Sequence, residues 1–284
     1  MNITDRTTHN QGHFCSVEAY TFHYYAVGRS TAPPIVFLHG FMGDGREFDT
    51  VIDRLSMDYY CLAVDLPGHG KTRSCPELQD NTMPDLAVGI IQFLQALNLQ
   101  SCSLVGYSMG GRLALYLALH FPAYFSKVVL ESASPGLKTV AERADRLRKD
   151  QQLAQTLRTL EVEGFPDFLT NWYQQPIFAD IQQHPAYGKM LERRLQNDPR
   201  DLAQALDGLS PGRQPALWEQ LSHNALPMLL LVGALDQKFV RINRAMAEQS
   251  PALTLQIIDR CGHTLHLEQP QLFTQRIIDF LAID

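Results

Sequence analysis

Leu104-Val105-Gly106-Tyr107-Ser108-Met109-Gly110-Gly111 is the stretch whose reading decides the fold. Short Gly/Ser turns recur by chance, so Gly-x-Ser-x-Gly alone says little. Here the apolar run Ser103-Leu104-Val105 reads as a strand leading in, and residues 109–120 read as a helix that halts before Pro122. A serine on such a strand-to-helix turn presents its hydroxyl at the helix N-terminus. Gly106 and Gly110 leave room for the strained backbone.

Working outward, residues 14–19 and 22–27 read as two short strands. Ile35-Val36-Phe37-Leu38 is a continuous apolar run stopping at His39-Gly40, which fits a strand buried on both faces. Residues 48–55 have helical spacing. Residues 60–64 form the next buried strand, ended by Asp65-Leu66-Pro67-Gly68-His69-Gly70. Residues 83–97 read as a helix with Pro84 in its first turn, and 128–130 as a strand. Alternation then lapses. Residues 137–224 show no clear strand, only charged, helix-favouring stretches such as 141–160 and 186–195. It resumes with strand 228–232, helix 240–249, strand 253–258 and helix 272–281. The pattern predicts the α/β class: a mostly parallel, eight-stranded sheet with helices on both faces. Residues 1–136 and 225–284 make the core, and 137–224 make a helical insertion above the strand ends, where ligands of such sheets bind.

A serine needs a histidine to take its proton. His263, in Cys261-Gly262-His263-Thr264 after the last strand, is the candidate; nearby His266 reads as solvated or facing a lid. A carboxylate should fix the imidazole tautomer. Asp236, at the end of the penultimate strand, competes with Glu131, at the end of an earlier one; the turn after Gly233 favours Asp236. The order Ser108, Asp236, His263 is the one this strand–turn–helix arrangement uses. Donors for developing negative charge are the backbone N–H groups of Met109 and of Phe41, in His39-Gly40-Phe41-Met42-Gly43. His39 and His69 read as supports for these turns.

Composition narrows the function. Of 284 residues, 45% are hydrophobic and 19% charged, with a net charge of −6. There is no basic field for nucleic acid, no apolar run approaching the ~20 residues that span a bilayer, and a polar N-terminus without a signal-peptide segment. A cytoplasmic protein, monomeric or weakly self-associating, is expected. Cys15, Cys61, Cys75, Cys102 and Cys261 form no CxxC pair and read as free thiols, with no metal site implied. Arg112, one turn after Ser108 on the same helix face, suits an anionic substrate, because its planar fork grips carboxylates. The insertion adds Arg143, Arg146, Arg148, Arg193 and Arg194, and the aromatics Trp172, Tyr173 and Phe178.

The turns, the serine stretch, Asp236 and Gly262-His263 together resemble the α/β-hydrolase family over nearly the whole chain. A narrower resemblance rests on the insertion. Glu131-Ser132-Ala133-Ser134-Pro135-Gly136-Leu137, Trp172-Tyr173-Gln174-Gln175-Pro176 with Phe178, Arg194 with Asn197, Gly212-Arg213-Gln214-Pro215 with Leu217-Trp218, Asp236-Gln237-Lys238-Phe239 and Gly262-His263-Thr264-Leu265-His266 are similar to stretches of the 2-succinyl-6-hydroxy-2,4-cyclohexadiene-1-carboxylate synthases of the menaquinone and phylloquinone pathways. That resemblance implies a lyase that needs no cofactor or metal and eliminates pyruvate from a small substrate bearing several carboxylates. Ser108 would be the base, activated by His263 and oriented by Asp236. Arg112, Arg194 and one of Arg143 or Arg146 would hold carboxylates, while Tyr107, Trp172, Tyr173, Lys238 and Phe239 would line the pocket. The rivals are a hydrolase of esters or C–C bonds with the same triad, and a non-catalytic binding module on the same scaffold.

Overall fold

The computed structural model describes residues 11–75, 81–178 and 180–283. Residues 1–10, on which the expectation about a leader falls, lie outside the described residues. The chain runs β1 (Gly12–Ser16), β2 (Tyr20–Val27), β3 (Pro34–Leu38), α1 (Asp49–Leu55), β4 (Tyr60–Val64), β5 (Arg73–Ser74), α2 (Met83–Ala96), β6 (Cys102–Tyr107), α3 (Met109–His120) and β7 (Phe125–Glu131). Five helices follow: α4 (Val140–Thr159), α5 (Phe165–Tyr173), α6 (Tyr187–Arg194), α7 (Pro199–Leu209) and the single turn α8 (Trp218–Leu221). The chain closes with β8 (Met228–Gly233), α9 (Gln237–Ala247), β9 (Leu253–Ile258), the turn α10 (Leu265–Glu268) and α11 (Pro270–Leu281).

The sheet order is β1-β2-β4-β3-β6-β7-β8-β9, with β5 pairing β2. The sheet thus has nine strands where eight were expected; the ninth is the two-residue β5, too short to show an alternation in sequence. β1, β2 and β5 pair antiparallel, while β4 through β9 along this order pair parallel. Side-chain alternation splits each central strand between two cores. Val36 and Leu38 face α2 and α3, with Leu86, Ile90 and Leu113. Ile35 and Phe37 face α1 and α11, with Val51, Leu55, Phe273 and Ile277. Such two-sided burial is why these strands read as unbroken apolar runs.

β3 has β4 on one side and β6 on the other, so successive crossovers leave it in opposite directions. A crevice opens at the carboxyl ends of strands at such a switch point. Helices α4–α7 lie above it, whereas α8 packs Leu221 into the sheet core. Helices α4–α7 form apolar clusters of their own, with Ala154, Leu157, Phe165, Leu169, Leu202 and Leu206 in the larger one. Met42, from the loop after β3, is part of that cluster and ties it to the sheet. A reciprocal capping box of Thr139 and Glu142 starts α4.

Candidate active site

Ser108 sits between β6 and α3 with φ of 50°, a left-handed value that costs a non-glycine residue energy and marks a functional turn. The turn is as tight as its glycines suggest. A Cβ on Gly110 would lie 2.1 Å from the Leu38 carbonyl oxygen, and one on Gly106 would lie 2.5 Å from that of Gly110. Ser108 N–H donates to the Glu131 carbonyl at 2.9 Å, which locks the turn to β7.

The Ser108 hydroxyl lies 3.1 Å from His263 Nε2, and His263 Nδ1 donates to Asp236 Oδ2 at 2.6 Å. Asp236 serves twice: its Oδ1 accepts from Phe239 N at 3.1 Å and caps α9. The helix therefore begins at Gln237, earlier than its apolar spacing indicates. His263 is held from behind. Ser132 Oγ donates to its carbonyl at 2.9 Å, and Glu268 accepts from Gly262 N at 2.6 Å and Thr264 N at 3.0 Å. The N–H groups of Phe41 and Met109 meet no protein acceptor among the described residues.

Glu131 does not reach His263. Its carboxylate accepts from His266 N at 3.1 Å and from His266 Nδ1 at 2.8 Å. His266 is therefore not the solvated or lid-facing residue that the sequence suggested; it is 1% exposed. Burial opposes its protonation, but Glu131 and then Glu47, whose Oε1 is 3.7 Å from Nε2, raise its pKa to about 9. A histidine protonated more readily in the fold than in the unfolded chain stabilises fully below about pH 6.5, and that contribution fades as pH rises through about 9. The thermal midpoint should thus fall by a few degrees between pH 6.5 and 9.5. Glu131→Gln should flatten that slope. A wild-type midpoint constant over this range would contradict the assignment.

The triad opens into a cavity of about 830 Å³ between the strand ends and the inserted helices. Tyr107, Phe178 and Phe239 stand around His263 with ring centroids 5.5, 5.9 and 4.8 Å away, and Trp172 meets Phe41 at 5.7 Å. Tyr173 and Lys238 also line the wall. Arg112 lies in this wall, 9% exposed. Its Nη1 donates to Gln214 Oε1 and its Nη2 to the Leu209 carbonyl, both at 2.8 Å. Both acceptors are neutral. Burial, and then Arg146, push its pKa down to about 9 against the opposing Asp150. Arg146 lines the cavity and is held through Nε by Asp150 at 2.8 Å. Arg143 does not reach the cavity wall; its Nη1 donates to the carbonyls of Leu137 and Lys138 at 2.9 and 3.1 Å. One helical turn from Arg146, it faces the base of its own helix. Arg194 reaches the wall but bonds Tyr173 Oη at 3.0 Å, the Met42 carbonyl at 3.0 Å, and Glu47.

The family model described as the α/β hydrolase fold matches residues 33–270. The putative 2-succinyl-6-hydroxy-2,4-cyclohexadiene-1-carboxylate synthase of Bacillus subtilis (strain 168) is 34% identical over 263 residues, covering 91% of this chain and 94% of its own. The chain belongs to the α/β hydrolase fold family, in its 2-succinyl-6-hydroxy-2,4-cyclohexadiene-1-carboxylate synthase branch. The synthase of Serratia proteamaculans (strain 568) is also 34% identical, over 90% of this chain and 95% of its own. Among solved structures, MenH from S. aureus superposes with a TM-score of 0.85 at 32% identity, over 91% of this chain and 97% of that one. Esterases and an enol-lactonase match at 17–23% identity with TM-scores of 0.77–0.80, which shows the shared fold alone.

The sequence reading missed three groups. Glu47 and the Glu131–His266 pair are buried ions, and no local pattern marks an ion whose partner lies far along the chain. Gln214 stood within a quoted stretch, but its contact with Arg112 spans 102 positions.

Proposed function

We propose that this chain is a lyase that eliminates pyruvate from 2-succinyl-5-enolpyruvyl-6-hydroxy-3-cyclohexene-1-carboxylate, giving 2-succinyl-6-hydroxy-2,4-cyclohexadiene-1-carboxylate. The observation that carries this reading is Arg112, a buried cation beside the triad whose fork meets only neutral acceptors. Among the described residues no carboxylate pairs with it. A desolvated, uncompensated guanidinium calls for an anion. Arg146 and Lys238 add charge to the same cavity, so it suits a substrate with several carboxylates better than a neutral ester. We propose residues 137–224 as the cap that roofs this site, with soluble substrate entering from the cytoplasm.

In this reading Ser108 Oγ, its proton taken by His263 Nε2, removes the proton from C2, next to the succinyl ketone. The electron pair delocalises into that carbonyl, whose oxygen is met by the N–H groups of Phe41 and Met109. The enolate then collapses. The C2=C3 bond forms, the ring double bond moves to C4=C5, and the C5–O bond breaks. The departing enolpyruvate takes a proton and becomes pyruvate. Asp236 holds His263 in the tautomer with Nδ1 protonated and stabilises the imidazolium. No water enters, and the ring of Tyr107, Phe178 and Phe239 around His263 favours a dry site.

The purified chain should release pyruvate in equimolar amount with the diene. Release should begin without a burst, because no acyl-enzyme accumulates on Ser108. Rapid turnover of aryl esters without pyruvate from the cyclohexene substrate would replace this reading with a hydrolase.

A further inference from the structure

The loop after β3 is held at both edges of one residue. Met42 has φ of 66° and is buried, a strained conformation for a methionine. Its N–H donates to His69 Nε2 at 3.0 Å, while His69 Nδ1 lies 3.1 Å from the Pro67 carbonyl. That arrangement needs a neutral imidazole, and burial, aided by His39, pushes the His69 pKa down to about 3. The Met42 carbonyl accepts from Arg194 Nη1 at 3.0 Å and Asn197 Nδ2 at 2.8 Å. Both donors come from the cap, where Arg194 closes α6 and Asn197 follows it. Glu47, from the turn before α1, pairs with Arg194 and receives Gly40 N at 3.4 Å. Three of the five guanidinium N–H groups of Arg194 are thus committed within the protein.

We propose that Glu47 and Asn197 are positioning residues through which the cap sets the oxyanion hole, with Arg194 as the link. The donor in question is Phe41 N–H, one residue before the clamped peptide. Fixing the Met42 carbonyl from above and its N–H from below removes the backbone rotations that would turn that donor away. Preorganised donors stabilise developing charge because nothing reorganises as the charge forms. A buried ion pair adds little stability compared with apolar side chains of the same volume. Glu47 does not line the triad cavity and meets it only through Arg194, so a direct grip on substrate does not explain it. Both features fit a part that specifies geometry. The inference rests on the oxyanion hole of the proposed function and not on the identity of the substrate.

Phenylboronic acid tests it without any carboxylate. The Ser108 Oγ lone pair forms a bond to boron, the hydroxyl proton passes to His263, and a boron-bound oxygen takes the oxyanion position. Its dissociation constant is measured by fluorescence titration and by ¹¹B NMR for wild type, Asn197→Ala and Glu47→Gln. Both variants should bind the boronate about tenfold more weakly, a fraction of the 10²–10³-fold lost when such a donor is removed outright. They should also lower kcat for pyruvate release with KM within about twofold of wild type. Asn197→Ala should unfold near the wild-type temperature, so it decides the matter if Glu47→Gln does not fold. Boronate affinity within twofold of wild type in the folded variants would overturn the proposal, as would failure of wild type to bind boronate at all. Weakened boronate binding by an enzyme that releases no pyruvate would uphold the positioning role and remove the substrate assignment.

Discussion

Asp236→Asn is expected to lower kcat for pyruvate release by about 10³- to 10⁴-fold, because an asparagine amide favours the wrong imidazole tautomer and cannot stabilise the imidazolium. The 2.6 Å bond from His263 Nδ1 to Oδ2 is the contact at stake. The cap of α9 uses the other oxygen, through Phe239 N, and an asparagine carbonyl can keep it. Folding should therefore be nearly preserved while the rate collapses. Glu131→Gln should do the reverse. Its carboxylate serves His266, away from the serine, so kcat should stay within a few-fold of wild type. The loss of one side of a fully buried pair should cost roughly 3 kcal/mol of stability. Pre-steady-state rates and urea unfolding of the two variants separate these effects. A crippled Glu131→Gln beside an active Asp236→Asn would move the acid to β7.

The sequence favoured Asp236 for a reason that holds physically. Its strand neighbours β9 in the sheet, and the loop after β9 carries His263. The strand β7 that ends at Glu131 lies next to β6 and is also close, so position alone left both acids open. The structure separates them because His266, three residues after His263, turns into the core and takes Glu131. A histidine near the end of the last loop gives no sign in sequence of which way it faces. The central strands were legible because burial on both faces leaves unbroken apolar runs. The serine turn was legible because its backbone admits only glycine at fixed places. The helical character of the inserted segment was legible in its composition, but not the use of its arginines. Arg143 and Arg146 stand three apart on α4, and a helix that is polar nearly all round gives no apolar stripe from which to tell the cavity side. Asn197 and Arg194 were visible as a pair, but their common acceptor is a backbone carbonyl, which has no signature in sequence.

Arg112→Ala is expected to lower kcat/KM for the cyclohexene substrate by about 30- to 1000-fold, roughly 2–4 kcal/mol. Arg148→Ala should remain close to wild type, since Arg148 is an exposed cap arginine paired with Asp145 on its own helix. The large term follows from desolvation. In water a guanidinium–carboxylate contact exchanges for two hydrated ions and gains little. In this wall Arg112 is already stripped of water and bonded only to an amide and a carbonyl, so a substrate carboxylate meets a charge whose desolvation was completed during folding. Arg112→Lys should recover little of the loss. One ammonium cannot span Gln214 Oε1 and the Leu209 carbonyl while presenting a second pair of donors to the ligand. The split between kcat and KM then shows where the carboxylate binds. A loss confined to KM means that Arg112 grips a group remote from C2, equally in ground and transition states. A loss in kcat means that it acts where charge develops, next to the Phe41 and Met109 donors. Arg112 begins one turn after Ser108, and its fork is anchored to Gln214 and Leu209 of the inserted segment rather than to any member of the triad. A loss mainly in KM is therefore the expected division, and wild-type kinetics for Arg112→Ala would remove the anionic-substrate reading at its base.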